Sequence, residues 1–561
     1  MTEGRQNGVA NSALWAAAGD ALGFITELTD QQGVRRRAGV NRIESTTTWK
    51  RLVGGKFGAT VTLPAGCYSD DTQLRLATGR AIRADGRFDV EAFAKVELPV
   101  WLSYALGGGV GTKAAAYSLA HQDVTWFSNF FETHSSKYTD AGGNGAAMRI
   151  QPHVWASRDL ARPTEYLTAV VRNALCTHGH VRGIFGAVFH AFCLAKSLDN
   201  GEAPSPDIWN EARTLHSEVV SLIKNDRDLS SFWLPSWEAK SKLQIGEALE
   251  WVSREYAENL ATLDSMGYES AAANYNRVLE GLGCLADVGR GEGLRTAMAA
   301  AWLAWAFRRE DPLSMLQVAV NSISSDTDTI ATMAGAISGA SAKSPPTVEL
   351  MDREYILAEA HRLFRISRGE KVGNFEYPDL LSWKPPQTQL DAVALENQTI
   401  VVAGLGKGVP IGQKYEARKR DGAVWQWLKL DFGQTVLIKQ RDILPVRAQD
   451  RNVQSSEVQG PFKQIDRLPK PMKQSPLFTA EKVRAVERES VANRLNMDID
   501  ALTADAIRGG FDPATIGQQL LAFADQPNSI ERAAAYAAII VKAKRARKPR
   551  SGQGDIAQNA P

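Results

Sequence analysis

Two short acidic clusters hold the residues of this chain that are best suited to chemistry. The first is Ser69-Asp70-Asp71-Thr72, and the second, far downstream, is Asp326-Thr327-Asp328-Thr329. Each places carboxylates and hydroxyls beside an apolar run of helical character. Oxygen-rich sites of this kind suit hard divalent cations such as Mg2+ or Mn2+. The clusters therefore predict a metal-dependent enzyme.

The same clusters also fit a purely structural role. Ser, Thr and Asp before an apolar run are ordinary N-caps of helices, and the residues after each cluster have a helical pattern. A cap needs only one side chain, however, whereas each cluster contains two acids. The presence of both clusters thus favours a metal site, and the two roles are compatible.

The composition is typical of a globular protein whose overall electrostatic field is weak. The chain has 561 residues, 44% of them hydrophobic, and a net charge of +2 from 65 basic and 63 acidic side chains. This balance excludes a protein drawn to nucleic acid or membrane by its overall charge. The most apolar run, residues 297–307, is shorter than the roughly 18–20 residues that span a bilayer. The N-terminus has no signal-peptide pattern, and the four cysteines form no CxxC pair, so we expect a reducing cytoplasm.

The composition also changes along the chain in a way that indicates domains. All histidines and cysteines lie at or before His361, and residues 11–368 are alanine-rich with helical periodicity. We therefore expect a mostly α domain over residues 1–375, which would carry the chemistry. Within it, residues 44–64 are rich in Thr, Val and Gly and predict a small β-hairpin.

The C-terminal third has a different pattern. After a proline-rich stretch at residues 377–386, several short strand-like runs separated by glycine turns predict a small SH3-like β-barrel over residues 390–447. Residues 447–476 are polar and typical of a linker. We expect helix over residues 477–548, ending in a basic tail, and disorder over residues 549–561.

The motifs around the acidic clusters resemble those of the ADP-ribosylglycohydrolase (DraG-like) family. They are Gly19-Asp20-Ala21-Leu22-Gly23 with Glu27, Ser69-Asp70-Asp71-Thr72, Gly143-Asn144-Gly145-Ala146-Ala147-Met148, Thr177-His178 and Ser325-Asp326-Thr327-Asp328-Thr329. They occur in the order seen in the family, over about residues 11–370. The resemblance does not extend to the C-terminal third.

The resemblance implies an all-α helical bundle that holds two divalent ions, Mg2+ or Mn2+. It implies a hydrolase that cleaves the glycosidic bond between ADP-ribose and an acceptor, with a metal-activated water attacking C1'' of the ribose. Carried over by position, the metal ligands are Ser69, Asp70, Asp71, Asp326, Asp328 and Thr329. The catalytic residues are Glu27, Asp70, Asp71 and Asp326, and which acid acts as the base stays open.

The stretch from Gly19 to Glu27 also has a plain structural interpretation. A helix that starts at Ser12 and ends with a C-cap at Gly19 explains the glycine, and in that interpretation Asp20 and Glu27 are solvated side chains. The resemblance instead places Glu27 on a loop close to the metals. We assign Glu27 a catalytic role and Asp20 a structural one.

Glycine-rich turns provide the expected substrate site, since backbone N–H groups can approach phosphate oxygens where no Cβ intervenes. By itself a short glycine run more often marks a plain loop. The resemblance implies that the substrate-binding residues are Gly109, Gly111, Gly143, Asn144, Gly145, Met148 and His178. The nearby aromatic residues Trp126, Phe127, Phe130 and Phe131 either stack on adenine or belong to the core.

Two alternatives concern what the protein does with ADP-ribose. A catalytically silent ADP-ribose-binding module could act through its C-terminal parts, although the presence of every expected acid argues against it. A hydrolase acting on ADP-ribosylated nucleic acid could use Trp425, Trp427, Lys429, Lys439 and Arg441 with the basic run at residues 542–550. A protein-docking module and a solvated tail explain the same residues. We expect an ADP-ribosylated protein or another ADP-ribose conjugate as the partner, and no membrane.

Overall fold

The computed structural model describes residues 2–269, 271–287, 289–418, 422–446 and 499–523, with isolated positions between 533 and 544. By its contacts the chain divides into two units, Met1–Asn452 and Val453–Pro561. The α-helices of the first unit are α1 Thr2–Thr26, α2 Gln31–Ala38, α3 Asp70–Arg80, α4 Val90–Ala92, α5 Leu98–Trp101, α6 Val110–Leu119, α7 Gln151–Trp155, α8 Thr164–Leu175, α9 Val181–Asn200, α10 Pro206–Glu211, α11 Leu215–Asn225, α12 Leu234–Ser241, α13 Ile245–Met266, α14 Ala271–Gly281, α15 Gly293–Ala306, α16 Pro312–Asn321, α17 Thr327–Ser341 and α18 Arg353–Ser367. Shorter turns are the π-helices Phe93–Glu97 and Leu229–Trp233 and the 3-10 helices Tyr138–Asp140, Ala147–Arg149, Ala212–Thr214 and Gln389–Asp391.

The strands are β1 Trp49–Val53, β2 Ala59–Leu63, β3 Val393–Glu396, β4 Thr399–Val402, β5 Gly406–Glu416, β6 Ala423–Leu430 and β7 Thr435–Arg441. β1 and β2 pair antiparallel from Trp49 opposite Leu63 to Val53 opposite Ala59, which confirms the predicted hairpin. The first 370 residues are otherwise helical, as the sequence predicts.

Helices α1 and α17 cross in close contact at the centre of the helical body. A Cβ added at Gly19 would lie 2.4 Å from the carbonyl oxygen of Ala331, and one at Gly23 would lie 2.4 Å from the Cα of Asp328. Only glycine permits this approach of two backbones. Helix α1 continues through Gly19 to Thr26, so the interpretation of Gly19 as a C-cap is wrong. The glycines serve the crossing, which brings Asp20 and Asp328 near each other.

Helix α9 is long and apolar enough to cross a membrane by length and composition. Most of its side chains are buried in the helical body, among them Phe185, Phe189 and Leu194. It packs against α15 and α17, and we interpret it as a core helix.

The C-terminal strands form an antiparallel sheet in the order β3-β4-β5-β6-β7. β3 and β7 lie at its edges, and the chain after β7 returns to the first strand only through a bridge between Leu395 and Val446. The sheet is not closed among the described residues, so a separate C-terminal β-region is confirmed but the SH3-like barrel predicted from the sequence is not. A shift of register between Ile411 and Tyr415 interrupts the β5–β6 pairing.

The sheet packs directly on the helical body. Asp352, just before α18, accepts hydrogen bonds from the hydroxyl of Tyr68 (2.8 Å) and from the backbone N–H of Thr435 in β7 (2.6 Å). The buried ion pair of Arg80 and Glu97 (2.7 Å) also reaches the sheet, because Arg80 donates to Oε1 of Gln434. Tyr68 directly precedes the first acidic cluster, so the sheet contacts an element that carries the site.

The second unit contains two described helices, α19 Ile499–Arg508 and α20 Pro513–Ala522. Its buried side chains include Ala506, Phe511 and Phe523. Both helices lie within the range that the sequence predicts to be helical. The predicted linker at 447–476, the tail at 549–561 and most of the basic run at 542–550 lie outside the described residues.

Candidate active site

The first acidic cluster lies at the N-terminus of α3 and is fixed by Asp20 of α1. Ser69 caps α3, since its Oγ accepts from the N–H of Asp71 at 3.2 Å. The two carboxylate oxygens of Asp20 accept from the backbone N–H groups of Ser69 and Thr72, each at 2.8 Å. The structural role expected for Asp20 agrees with these bonds, because they tie α1 to the start of α3.

The second acidic cluster lies at the N-terminus of α17. Asp326 occupies the N-cap position, yet its carboxylate makes no cap bond; its Oδ2 instead accepts from the side-chain amide of Asn144 at 2.9 Å. Asp328 and Thr329 are buried, and the hydroxyl of Thr329 lies 3.4 Å from Oδ1 of Asp71. Capping therefore explains Ser69 but not the acids, and the two clusters meet.

The carboxylates that meet here are crowded and incompletely satisfied. One oxygen from each of Asp20, Asp71 and Asp328 lies within 4.8 Å of the other two. Oδ2 of Asp71 is buried without a hydrogen-bond partner in the described structure. Such an acceptor is costly to bury unless a cation or a donor completes it.

The electrostatics of the acids fit a cation-binding site. Burial, with the neighbouring Glu27 carboxylate, raises the pKa of Asp70 to about 8. Burial and the charges of Asp20 and Asp70 raise the pKa of Asp71, and burial with Glu27 raises the pKa of Asp328. Like charges brought together in a buried site disfavour ionisation, and divalent ions reverse this. The oxygen donors therefore fit Mg2+ or Mn2+.

Glu27 follows the last turn of α1 and faces the same acids. Its Oε2 accepts from both terminal nitrogens of Arg51 at 3.2 Å. Burial raises the pKa of Glu27, although Arg51 acts in the opposite direction. Arg51 belongs to β1 of the hairpin, a segment in which no site residue was predicted.

Glycines form one wall of the site. Gly107 has a φ of +115°, and a Cβ there would lie 2.3 Å from Oδ1 of Asp70. Gly109 is the N-cap of α6, and Gly111 lies in its first turn. The first N–H groups of a helix lack intrahelical partners and suit anionic oxygens. The wall can therefore hold phosphate groups next to the acids.

A second wall consists of residues 143–148 and the turn before α15. The backbone N–H of Asn144 donates to the carbonyl of Gly291 at 2.9 Å, and Met148 is buried beneath. A Cβ at Gly145 would lie 2.8 Å from Oγ1 of Thr112 and 3.1 Å from Cε1 of His178. Gly145 thus lets three segments approach one another at the site.

His178 is buried at the edge of this wall and is neutral. Burial and the nearby Arg149 lower its pKa to about 3. The Thr177 hydroxyl lies 2.7 Å from Nδ1 and also accepts from Arg149 at 2.8 Å, so its own proton is free for Nδ1. That arrangement leaves the proton of the ring on Nε2, which can donate to a ligand.

A cavity of about 510 Å³ joins these parts. Every residue that the sequence analysis assigned to the site lines it, except Ser69, which is buried behind. The cavity is also lined by residues that were not predicted from the sequence to belong to the site: Leu28, Thr112, Ser136, Asp140, Asp287 and Arg290. Arg290 is the only arginine or lysine among the described residues that line the cavity. It lies between Gly289 and Gly291 just before α15, and an arginine in a glycine-rich turn before a helix is a pattern that could have indicated an anion-binding residue from the sequence.

The aromatic residues suggested for adenine have separate places. Trp126 is buried in the core, where it contacts Phe127 edge to face. Phe130 and Phe131 line a second cavity of about 590 Å³, together with Trp251. Asp140 lines both cavities, so the second one adjoins the first.

The aromatic residues of the sheet do not form a surface for bases. Trp425 and Trp427 are buried, and Trp427 donates to the carbonyl of Thr62 at 3.3 Å. Lys429 pairs with Asp352, and Arg441 pairs with Asp391. Stacking of nucleic-acid bases on these tryptophans, as the sequence allowed, is therefore not available in this arrangement.

Comparison with known proteins identifies the family of enzymes to which this chain belongs. The model of the ADP-ribosylglycohydrolase family matches residues 1–370, and the chain belongs to this family of glycosyl hydrolases. It is similar to the ADP-ribosyl-(dinitrogen reductase) glycohydrolase of Rhodospirillum rubrum, with 29% identity over 169 residues, 30% of this chain and 50% of that protein. The chain thus spans about half the length of that curated relative. Among solved structures, an ADP-ribosylglycohydrolase-related protein complex is 21% identical, with a TM-score of 0.40, over 65% of this chain and 99% of the other.

Proposed function

We propose that this protein is a metal-dependent hydrolase that cleaves the glycosidic bond between ADP-ribose and an acceptor. The observation that carries the proposal is the meeting of two acidic clusters on the floor of a cavity, with the Oδ2 of Asp71 buried and unpartnered. The metal ligands proposed are Ser69, Asp70, Asp71, Asp326, Asp328 and Thr329, and Asp20 supports them by holding the backbone at the start of α3. Two ions, Mg2+ or Mn2+, would balance their charge.

The walls of the cavity support ADP-ribose as the ligand. The N-terminus of α6, with Gly109 and Gly111, offers N–H groups to a diphosphate, and Nε2 of His178 and the guanidinium of Arg290 add donors. The ribose next to the acceptor would then lie over the acids. The adjoining cavity with Phe130 and Trp251 offers rings to the adenine.

The proposed reaction is the hydrolysis of one glycosidic bond by one water molecule. The oxygen of a water joins C1'' of the ribose, the bond from C1'' to the acceptor atom breaks, and a proton from the water ends on the released acceptor. Bound ions would keep the carboxylates ionised and make a nearby water more acidic. The carboxylates of Asp70, Asp71, Asp326 and Asp328 stabilise positive charge that develops on the ribose.

Glu27 is the residue that we propose for proton transfer. It lies at the rim among the acids, and its Oε1 accepts no hydrogen bond from the described residues. Its raised pKa brings proton uptake closer to neutral pH, where a general base is effective. Glu27 would take the proton from the attacking water and pass it to the acceptor.

A protein is the acceptor that we test first. The name of the Rhodospirillum rubrum relative states that its substrate is an ADP-ribosylated protein, and arginine and serine linkages represent that class. Linkage to nucleic acid is a further arm of the same experiment. Buried Trp425 and Trp427 give that arm no support.

The test measures ADP-ribose release from arginine-, serine- and nucleic-acid-linked substrates with Mg2+, Mn2+ or EDTA. We expect release that requires metal and that falls about 100-fold or more in Asp326→Asn, because the proposed metal site loses one negatively charged ligand. The surface variant Asp123→Asn is the matched control and should behave like the wild type.

Three other outcomes have defined meanings. Release that EDTA does not reduce would overturn the metal-dependent chemistry. ADP-ribose binding measured by calorimetry, without release from any substrate, would favour the silent binding module. Circular dichroism of Asp326→Asn should match the wild type; unfolding instead would return the second cluster to a structural role.

A further inference from the structure

The ion pair between Arg51 and Glu27 connects the hairpin to the site. Both terminal nitrogens of Arg51 donate to the same oxygen, Oε2, at 3.2 Å. The side chains of Arg51 and Glu27 are only 19% and 17% exposed, so solvent screens this pair weakly. The carboxylate is thereby held with its second oxygen directed away from the arginine.

Arg51 itself is fixed by aromatic rings from two elements. Its guanidinium carbon lies 4.4 Å from the centre of the Phe24 ring in α1 and 5.9 Å from that of Trp49 in β1. Phe24 and Trp49 contact each other edge to face at 5.4 Å. A cation that stacks on rings is held in direction as well as in place. Lysine would keep the charge but lose the planar fork.

Arg37 secures the backbone of the same loop. Its NH1 group donates to the carbonyl oxygens of Ile25 and Glu27, each at 2.8 Å. The loop then turns at Leu28, which has a φ of +48° and is exposed at the cavity. One arginine therefore fixes the backbone of Glu27 and another fixes its carboxylate.

The hairpin that carries Arg51 rests on the C-terminal sheet. A Cβ at Gly54, in the turn, would lie 2.4 Å from the Trp425 ring, and Trp427 donates to the carbonyl of Thr62. The N–H of Arg418 donates to the carbonyl of Gly58 at 3.0 Å. These contacts reach the hairpin turn and β2 from a sheet that lies outside the matched family region.

We propose that Arg51 is a positioning residue for Glu27 and that the C-terminal sheet supports catalysis by holding the hairpin that carries Arg51. The inference rests on the proposed function. It assigns the sheet a role within the site of its own chain, in addition to any partner that the sheet contacts.

The experiment compares Arg51→Gln, Arg51→Lys and Lys50→Gln in the full chain. Lys50 lies on the same strand and is exposed, so it is the matched control. We expect kcat to fall about 10-fold to 100-fold in Arg51→Gln with KM changed less than about 2-fold, because proton transfer contributes roughly 100-fold to 10,000-fold and a misplaced Glu27 loses only part of that. Arg51→Lys should recover part of kcat, and Lys50→Gln should match the wild type.

A double-mutant cycle separates positioning from general support of the fold. In a Glu27→Gln background, Arg51→Gln should cause no further loss, since it acts through the carboxylate that is already absent. Trp427→Phe, which removes the N–H bond to Thr62 together with part of a buried ring, should lower kcat in the same direction but by less. Equal kcat in Arg51→Gln and Lys50→Gln, or additive losses in the cycle, would overturn the proposal.

Hydrogen exchange supplies a readout that does not need activity. Backbone amides of residues 25–30 should exchange several-fold faster in Arg51→Gln than in Lys50→Gln, because, of the two arginines that hold the loop, it then keeps only Arg37 with its bonds to the carbonyl groups. Those of α9 should not change. If the wild type releases no ADP-ribose, the proposed function fails, yet exchange still decides whether Arg51 holds the loop. Unchanged exchange at residues 25–30 would reject that role.

Discussion

Buried carboxylates repel one another when no cation lies between them, and Asp70 shows this most clearly. It lies at the start of α3, and Gly107 leaves room for its Oδ1. Burial and the charge of Glu27 raise its pKa to about 8, whereas an unfolded chain ionises near the ordinary value of 3.8. Between these values the folded protein binds one more proton than the unfolded one, so its stability must fall as pH rises.

The metal-free protein should therefore lose stability between pH 6.5 and 8. We expect a loss of roughly 1–2 kcal/mol from Asp70 in this window, measured by urea unfolding with EDTA, with the Asp70 contribution levelling above pH 8. Burial lowers the pKa values of His153, His178 and His190 to about 3, whereas a histidine in the unfolded chain titrates near 6.5. These histidines therefore act in the opposite direction and offset part of the loss up to about pH 7.5, so the Asp70 effect is measured most directly between about pH 7.5 and 8.

Two controls identify the source of this slope. Asp70→Asn should make it shallower, because the amide does not titrate; the part of the slope that stays belongs to Asp71 and Asp328, whose pKa values burial also raises. Saturating Mg2+ should remove the whole slope, since cations keep the carboxylates ionised in the folded state. A slope of the same size in Asp70→Asn would show that another group is responsible.

At the scale of elements, the crossing of α1 and α17 decides where the acids meet. Gly19 and Gly23 face Ala331 and Asp328 across the crossing, and Thr327 donates from its hydroxyl to the carbonyl of Gly23 at 3.1 Å. Asp20 lies between these two glycines and holds α3. One helix therefore aligns the two others that carry the acidic clusters.

Gly23→Ala should separate α1 from α17, because its Cβ would lie 2.4 Å from the Cα of Asp328. We expect a loss of about 1–3 kcal/mol in urea unfolding, as for overpacked cores, together with weaker Mg2+ binding. Gly246→Ala, in α13, is the matched control, since a Cβ there meets nothing within 4 Å. It should be neutral or stabilise the helix by up to about 1 kcal/mol.

Loss of stability in Gly23→Ala without any change in metal affinity would separate the crossing from the site. Isothermal calorimetry with Mn2+ distinguishes the two effects. The crossing would then be a packing feature only.

At the scale of the whole molecule, the helical body and the sheet share buried polar contacts. Asp352 accepts from Tyr68, Thr435 and Lys429, and Arg80 reaches both Glu97 and Gln434. Buried networks of this kind are costly to break, since each lost partner leaves an unsatisfied group. The first unit, Met1–Asn452, should therefore unfold as one cooperative body.

Asp352→Ala should destabilise the helices and the sheet together by about 2–4 kcal/mol. Far-ultraviolet circular dichroism follows the helices, and tryptophan fluorescence follows burial that includes Trp425 and Trp427. Both probes should shift to the same lower urea midpoint. Lys429→Met removes only the half-exposed member of the network and should cost less than about 1 kcal/mol. Separate midpoints would mean that the sheet unfolds independently.

The sequence by itself determined the helical class of residues 1–370, the hairpin and the acidic clusters. Helical periodicity and alternation are local properties, and motifs in a fixed order allow residues to be matched by position. For this reason the sequence alone was enough to identify Asp70, Asp71, Asp326 and Asp328 as candidate site residues. The domain boundaries drawn from composition and the individual roles of the site residues stay predictions.

Only the tertiary structure decided which distant residues complete the site and how the strands close. Arg51 on Glu27, Asn144 on Asp326 and Arg290 in the cavity are contacts between segments that no local pattern connects. The sheet stays open because its edge strands, β3 and β7, do not pair with each other, and the number of strands in the sequence does not decide this. Burial of Trp425 against the hairpin likewise depends on packing, which periodicity does not encode.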